Sequence, residues 1–369
     1  MSDFDLIVVG ASPAMLARAI HAAAQGKRAA VMDGHQEMGG NWRLDSPFDD
    51  GRRYDTFEHY LAGGPAARDV LTAAGIKLRN RPVQYWVGGG LRQQEEDHLR
   101  ELFDFKSPKL SHVLLPATEG LFIQRLRRGK ASEDEIQQLR EYYSVPGRLK
   151  VRRERDIGRY FVRNMDDLIQ PLLKKAKALG VTLFTNHWVE TAGCKRSQAF
   201  VTGPFGTHTA ENLLLGKYFQ GDVECNEARI EYEKRRDDRS TLIFRCNVED
   251  ASAPDYIKFI DGDGFHALQK VSCSGEPVTY CLHVARSIRE NHGDPASHII
   301  PRLINVGIFP TDTVASVWRW LTLNLHSGVG NIAEALASTS EGKIDVLAFV
   351  SLGADIGTNP DIWARALKH

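Results

Sequence analysis

The chain has 369 residues, 25% of them charged and 42% hydrophobic, which at roughly 150 residues per domain implies two or three packed domains. Lys and Arg together number 47, as do Asp and Glu; this zero balance argues against a dedicated nucleic-acid or membrane-surface binder, since both usually carry a basic excess. No apolar run reaches the ~18–20 residues that span a bilayer, and the acidic opening Met1-Ser2-Asp3-Phe4-Asp5 does not read as a secretory signal.

The amino terminus carries the clearest pattern. Asp5 to Val9 is a short apolar run ending at Gly10, as expected of a buried parallel strand. A helix follows from about Pro13 to Gln25, stopped by Gly26, and Arg28 to Met32 makes a second strand closed by Asp33. This βαβ unit with a terminal acid is a dinucleotide-binding arrangement. The turn would bring a pyrophosphate onto the helix N-terminus, where N–H groups and the helix dipole favour negative charge. Gly10, Ser12, Pro13 and Ala14 are the candidate phosphate-side residues, and Asp33 the acceptor for a ribose hydroxyl. Gly10 keeps the first glycine of the GxGxxG pattern, but Ser12 and Met15 stand at the second and third. A βαβ unit that packs as scaffold and binds nothing remains the alternative.

Further along, Gly39-Gly40-Asn41-Trp42 follows Asp33 closely, either as a ligand-facing loop or as a surface turn. Tyr54 to Tyr60 contains His59, whose ordinary pKa suits a proton shuttle, though a histidine there is equally a structural residue. Val83 to Val87, then Gly88-Gly89-Gly90, reads as a hairpin. A run of arginines that includes Arg153 and Arg155 would suit diphosphate or carboxylate oxygens, while the acids interspersed through it suit an exposed helix face. Leu168, Ile169, Leu172, Leu173 and Ala176 lie at helical spacing, and after Gly180 comes a strand at Val181 to Phe184. Strands are also expected at Phe200 to Thr202, Asn212 to Leu215, Thr279 to Val284 and Ile344 to Val350, with a last helix over Asp361 to Lys368. The five cysteines form an odd count with no CxxC or Cys/His metal spacing, so no metal site is expected; buried reduced thiols and a cytoplasmic location are.

The Gly39-Gly40 pair placed shortly after Asp33 resembles the flavoprotein pattern of amine oxidases, protoporphyrinogen oxidases and UDP-galactopyranose mutases. That resemblance implies an α/β fold: a Rossmann-like FAD/NAD(P)-binding domain from residues 1–60, 156–218 and 340–369, interleaved with an α+β substrate domain from 61–155 and 219–339. It implies FAD as cofactor, with Gly39, Gly40, Asn41 and Trp42 near it, Val189 beside the adenine, and Gly353 against the pyrophosphate, where Asp355 either joins it or caps a turn. The implied activity is hydride transfer from a small-molecule substrate to flavin. The alternative within this class is a mutase acting on a sugar nucleotide, with Arg153 and Arg155 on its diphosphate; against it, Phe57 stands where mutases keep a histidine. Three departures from the pattern, at Met15, at Arg163-Asn164 and beside Gly353, support another class: a flavin-free Rossmann-like binding or assembly protein.

Overall fold

The computed structural model describes residues 2–42, 44–57, 65–80, 83–87, 90–92, 113–114, 150–151, 160–162, 165–195, 198–216, 219–231, 235–236, 239–250, 252–262, 264–321, 326–327, 336, 342–347, 355–356 and 359–368. In chain order the main elements begin with β1 (Phe4–Val9), α1 (Pro13–Ala24), β2 (Ala29–Met32), α2 (Pro65–Ala73), β3 (Val83–Val87) and β4 (Gly90–Arg92). Next come α3 (Asp166–Ala178), β5 (Thr182–Phe184), β6 (Thr191–Lys195), β7 (Gln198–Gly203), β8 (Gly206–Gly216), β9 (Asp222–Cys225) and β10 (Ala228–Ile230). The chain then forms β11 (Arg239–Cys246), β12 (Tyr256–Gly262), β13 (Phe265–Lys270), β14 (Thr279–Ala285), α4 (Arg286–Asn291), α5 (Pro295–Asn305), β15 (Ala315–Leu321), β16 (Ile344–Leu347) and α6 (Pro360–Leu367).

Two sheets organise these elements. In the first, β5, β2, β1, β8 and β16 run parallel, as expected for strands whose side chains are apolar on both faces. The long β8 does two jobs: its first half pairs antiparallel with β7 through Ala199↔Ala210, and its second half pairs parallel with β16 through Leu213↔Ile344. β6, β9 and β10 extend the sheet to nine strands. α1, α3, α6 and α2 cover one face, burying Leu16, Ile20, Leu71, Leu168, Leu172 and Trp363. The other face is packed by Ile7, Met32, Val201, Leu213, Leu215 and Val223.

The second sheet has the order β15-β11-β14-β13-β12-β3-β4, antiparallel throughout except where β12 meets β3. α5 packs on it through Ile299, Ile300 and Leu303. Pro295 starts that helix in the first turn, where no backbone donor is required, and the Asp294 carboxylate caps it by accepting from Ala296 N at 3.1 Å. No helix among the described residues is long and apolar enough to cross a membrane.

The α/β architecture with a parallel sheet agrees with expectation, but two segments expected in the second domain pack with the first. α2 joins the helical layer through Ala67 and Leu71, and β9 and β10 extend the first sheet beyond residue 218. The reason is long-range: β9 finds its parallel partner in β6, matching Ala192 with Val223.

Met15 illustrates how a departure from the glycine pattern is absorbed. Its side chain is buried in the helical layer, and it closes on Gly216 at the end of β8. A Cβ on Gly216 would lie 3.7 Å from Met15 Cε and 3.1 Å from Val9 O. The space that a glycine at 15 would leave in the helix is thus filled by methionine, with the bare backbone on the facing strand. Met15→Ala is expected to cost about 2–5 kcal/mol through the cavity left behind, read as a lowered urea midpoint.

Candidate functional site

The carboxyl ends of β1 and β2 meet at the Gly10 turn. Gly10 adopts φ +105°, a conformation that L side chains rarely take, and its N–H donates to Met32 O at 2.8 Å. Ser12 is the N-cap of α1, in extended conformation and with no hydrogen bond from its side chain to the helix; Pro13 follows, and the first turn holds no acid. The positive end of the helix is therefore not neutralised by its own side chains, and it suits an anion. Ala14 lies in that first turn.

Asp33 sits at the end of β2 and is 4% exposed. One carboxylate oxygen accepts from Ala11 N at 2.9 Å, while the other accepts from His35 N at 2.9 Å and lies 2.6 Å from His35 Nδ1. Asp33 N donates to Phe184 O and Asp33 O accepts from His187 N, both at 2.9 Å, so the residue is tied to the strand edge as well. A carboxylate offers about four acceptor positions, and protein groups take three here. Asp33 holds the turn in shape before any ribose reaches it.

Gly39 and Gly40 have φ +127° and +57° and lead into a short turn over Gly40–Trp42, closed by Trp42 N donating to Gly39 O at 3.0 Å. A Cβ on Gly40 would lie 3.5 Å from Ser12 N and 3.8 Å from the Asp33 carboxylate, so this second turn rests against the first. Asn41 is partly buried in it. Trp42 stacks obliquely on Phe57, with ring centroids 5.3 Å apart, and packs on the helical layer. Val189 is buried in the opposite core, next to Trp188, which is half exposed and lies on Gly34.

Asp355 departs from its expected role. Its carboxylate is 1% exposed, pairs with Arg18 at 2.9 Å, and accepts from Trp363 Nε1 at 2.8 Å and Asn359 Nδ2 at 3.3 Å. It clamps α1 to α6, its buried charge met by Arg18, the indole N–H and Asn359 within the helical layer. Gly353, His59, Arg153 and Arg155 lie outside the described residues.

Sequence reasoning missed a polar wall on the second sheet. In β14, Tyr280, Leu282 and Val284 join the apolar core, while Thr279, Cys281 and His283 point to the opposite face and are equally buried. Pairing aligns His283 with Thr241, and Cys281 with Gln269 and Ile243. Thr241 Oγ1 lies 3.0 Å from His283 Nδ1. Burial pushes the Cys281 thiol well above its ordinary range. The signal was present in the alternation of TYCLHV, whose polar residues share one face. Residues 44–57, which continue from the Gly40 turn, cover part of this wall: Phe48 and Tyr54 pack on Ile243 and Cys281. The Arg245 guanidinium lies 4.3 Å from the centre of the Phe48 ring, donates to Tyr54 Oη at 2.9 Å and pairs with Asp50. A separate cavity of about 340 Å³ opens between α3 and β5, lined by Glu37, Arg53, Asp166, Gln170 and Lys177 among others. Its charges oppose one another, and Arg53 is already 2.7 Å from Glu37.

No protein-family model matches the sequence, and no curated protein does either. Solved structures do match along almost the whole chain. Cyclohexylamine oxidase from Brevibacterium oxydans superposes with a TM-score of 0.58 at 12% identity, over 99% of each chain. Putrescine oxidase bound to putrescine gives 0.59 at 14% identity, over 99% of this chain and 98% of that one. A reduced UDP-galactopyranose mutase gives 0.61 at 12% identity, over 100% and 93%. The chain has the amine-oxidase-like fold. This agrees with the resemblance read from the Gly39-Gly40 segment.

Within this fold, Asp355→Ala is expected to destabilise the protein by about 1–3 kcal/mol, because it leaves the partly buried Arg18 and the buried Trp363 indole N–H without their shared acceptor; chemical denaturation measures this. Because its pKa is raised, Cys281 holds almost no thiolate near neutral pH. Alkylation of the native protein followed by peptide mass mapping should find the exposed Cys273 modified and Cys281 spared, with Cys281 reacting only well above the usual thiol range.

Proposed function

We propose that the protein is an FAD-dependent oxidoreductase that takes a hydride from a small-molecule substrate in the cytoplasm. The observation that carries this reading is the apposition of two glycine turns at a helix N-terminus, with Gly40 against Ser12 N and an acid at the end of the second strand. Such a cradle fits a dinucleotide. Gly10, Ser12, Pro13 and Ala14 would hold the pyrophosphate, and the remaining acceptor position of Asp33 a ribose hydroxyl. Gly39, Gly40, Asn41 and Trp42 would flank the cofactor, with Val189 beside the adenine. Bound FAD would supply the hydride acceptor.

The chain's own contribution is orientation and exclusion of water. Thr241 and His283, buried and 3.0 Å apart, would stiffen the sheet that backs a substrate site without touching the substrate themselves. On this reading the first sheet belongs to a cofactor domain, built mainly from 1–60, 156–218 and 340–369, and the second sheet to a substrate domain. The solved structures of similar fold carry names that include two amine oxidases and a sugar-nucleotide mutase. A primary amine is the substrate class to test first, and a sugar nucleotide held by Arg153 and Arg155 the second.

One observation favours a flavin-free binding or assembly role. Asp33 already accepts from Ala11 and His35, and Asp355 is committed to Arg18 and Trp363, so two acids expected at the cofactor serve the protein itself. The visible absorption spectrum of the purified protein, with acid release of any chromophore, separates the readings. Bound FAD, or uptake of added FAD, supports the enzyme. A colourless protein that takes up none overturns it. If FAD binds, Asp33→Asn should weaken its affinity by about 10- to 100-fold, the loss expected for roughly 1.5–3 kcal/mol of charge-assisted hydrogen bonding, measured by titration of the apoprotein.

A further inference from the structure

Two of the five cysteines meet in the first sheet. Cys194 on β6 and Cys225 on β9 are register partners in adjacent parallel strands, and their sulfurs lie 2.9 Å apart. Neighbouring strands are spaced about 4.7–4.9 Å apart, inside the Cα separation of about 4.4–6.8 Å that a disulfide accepts. Register partners present their side chains to the same face, here the core that also holds Val201 and Val223. A bond therefore needs the two sulfurs to close by less than an ångström and the strands not to move apart.

Access follows from position along the strands. Each cysteine is only 4% exposed. Cys194 is, however, the next-to-last residue of its strand, and Cys225 ends its own. Beyond them lie the exposed Lys195 and the exposed turn residues Asn226 and Glu227, both with positive φ. The pair is covered by this rim: Asn226 N donates to Cys194 O at 2.8 Å, and Lys195 pairs with Glu227 at 2.6 Å. Fraying of a sheet end is among the least costly openings of a folded protein. It would admit a molecule of peroxide size without unfolding the domain. The other three cysteines, Cys246, Cys273 and Cys281, lie on or beside the second sheet.

We propose that Cys194 and Cys225 are an oxidative modification site, forming a reversible cross-strand disulfide when the protein meets a hydroperoxide. One sulfur, as thiolate, attacks the peroxide O–O bond; a hydroxide leaves and a sulfenic acid forms. The second sulfur attacks the sulfenic sulfur, its proton leaves with the displaced hydroxide as water, and the S–S bond forms. With hydrogen peroxide, two thiols and one peroxide become one disulfide and two waters, the thiols losing two electrons and the peroxide gaining them. A dithiol reductant reverses the change by exchange. The cross-link closes a loop that contains β7 and β8, so the oxidised form resists unfolding. This inference is independent of the proposed cofactor.

The test uses the full chain carrying Cys273→Ser, which removes the exposed thiol. After hydrogen peroxide treatment and quenching, the protein is denatured and alkylated without reductant. The expected result is loss of two of the four remaining thiols, a tryptic peptide joining Cys194 to Cys225, and a raised thermal midpoint, all reversed by dithiothreitol. Adding Cys225→Ser should abolish the linked peptide and the midpoint shift. Four alkylatable thiols after treatment, irreversible over-oxidation in place of a disulfide, or a linkage through Cys246 or Cys281 would overturn the inference.

Discussion

Asp33 is buried, yet both of its carboxylate oxygens are occupied: one by Ala11 N in the turn after β1, the other by the backbone and ring of His35. Removing such a charge from water costs several kcal/mol unless hydrogen bonds replace its hydration, and those bonds fix the relative position of two strand ends. The Gly10 turn, the uncapped start of α1 and the Gly39–Gly40 turn all take their places around this carboxylate. A preformed corner of this kind would spend little ordering entropy on a ligand, which would take the one acceptor position left on the carboxylate.

Asp355 applies the same physics at a different place. Its carboxylate joins α1 and α6 through Arg18 and the Trp363 indole, locking the helical layer across the back of the first sheet. The two buried acids therefore divide the work, one shaping the corner at the strand ends and the other the packing that supports it. Met15 completes the support by filling against Gly216, so the helix meets the sheet closely although the usual glycine is missing. The departure at Met15 is a rearrangement of bulk between facing elements and does not by itself open the helix away from the sheet.

Local pattern made much of this architecture legible. The apolar run before Gly10, the Ala-rich helix after Pro13 and the helical spacing of Leu168, Leu172 and Ala176 each encode an element within a few residues of its observed bounds. What the sequence could not display was pairing between distant segments. β8 changes partner midway, from antiparallel β7 to parallel β16; the apolar run Leu213-Leu214-Leu215 marks its second half as interior, but not which strand it meets. β9 and β10 join the first sheet because β6 is available, a fact that belongs to the fold and not to their composition. The glycine-flanked turn after the last strand leaves Asp355 open to a ligand or a structural role, and what decides it, Arg18, lies 337 residues away. The polar wall of the second sheet was encoded by alternation, but only the covering of both faces reveals that its Thr, Cys and His are interior groups.

That covering makes β14 a strand with no solvent side. Tyr280, Leu282 and Val284 are held by the apolar core, and Thr279, Cys281 and His283 by the opposite face. The strand thus carries two separable vocabularies, interleaved one residue apart. Drift at the even-numbered positions alters the core shared with α5, whereas drift at the odd-numbered ones alters interior polar contacts and the packing of residues 44–57. One strand of this fold thus answers to two cores at once, each read by every second residue.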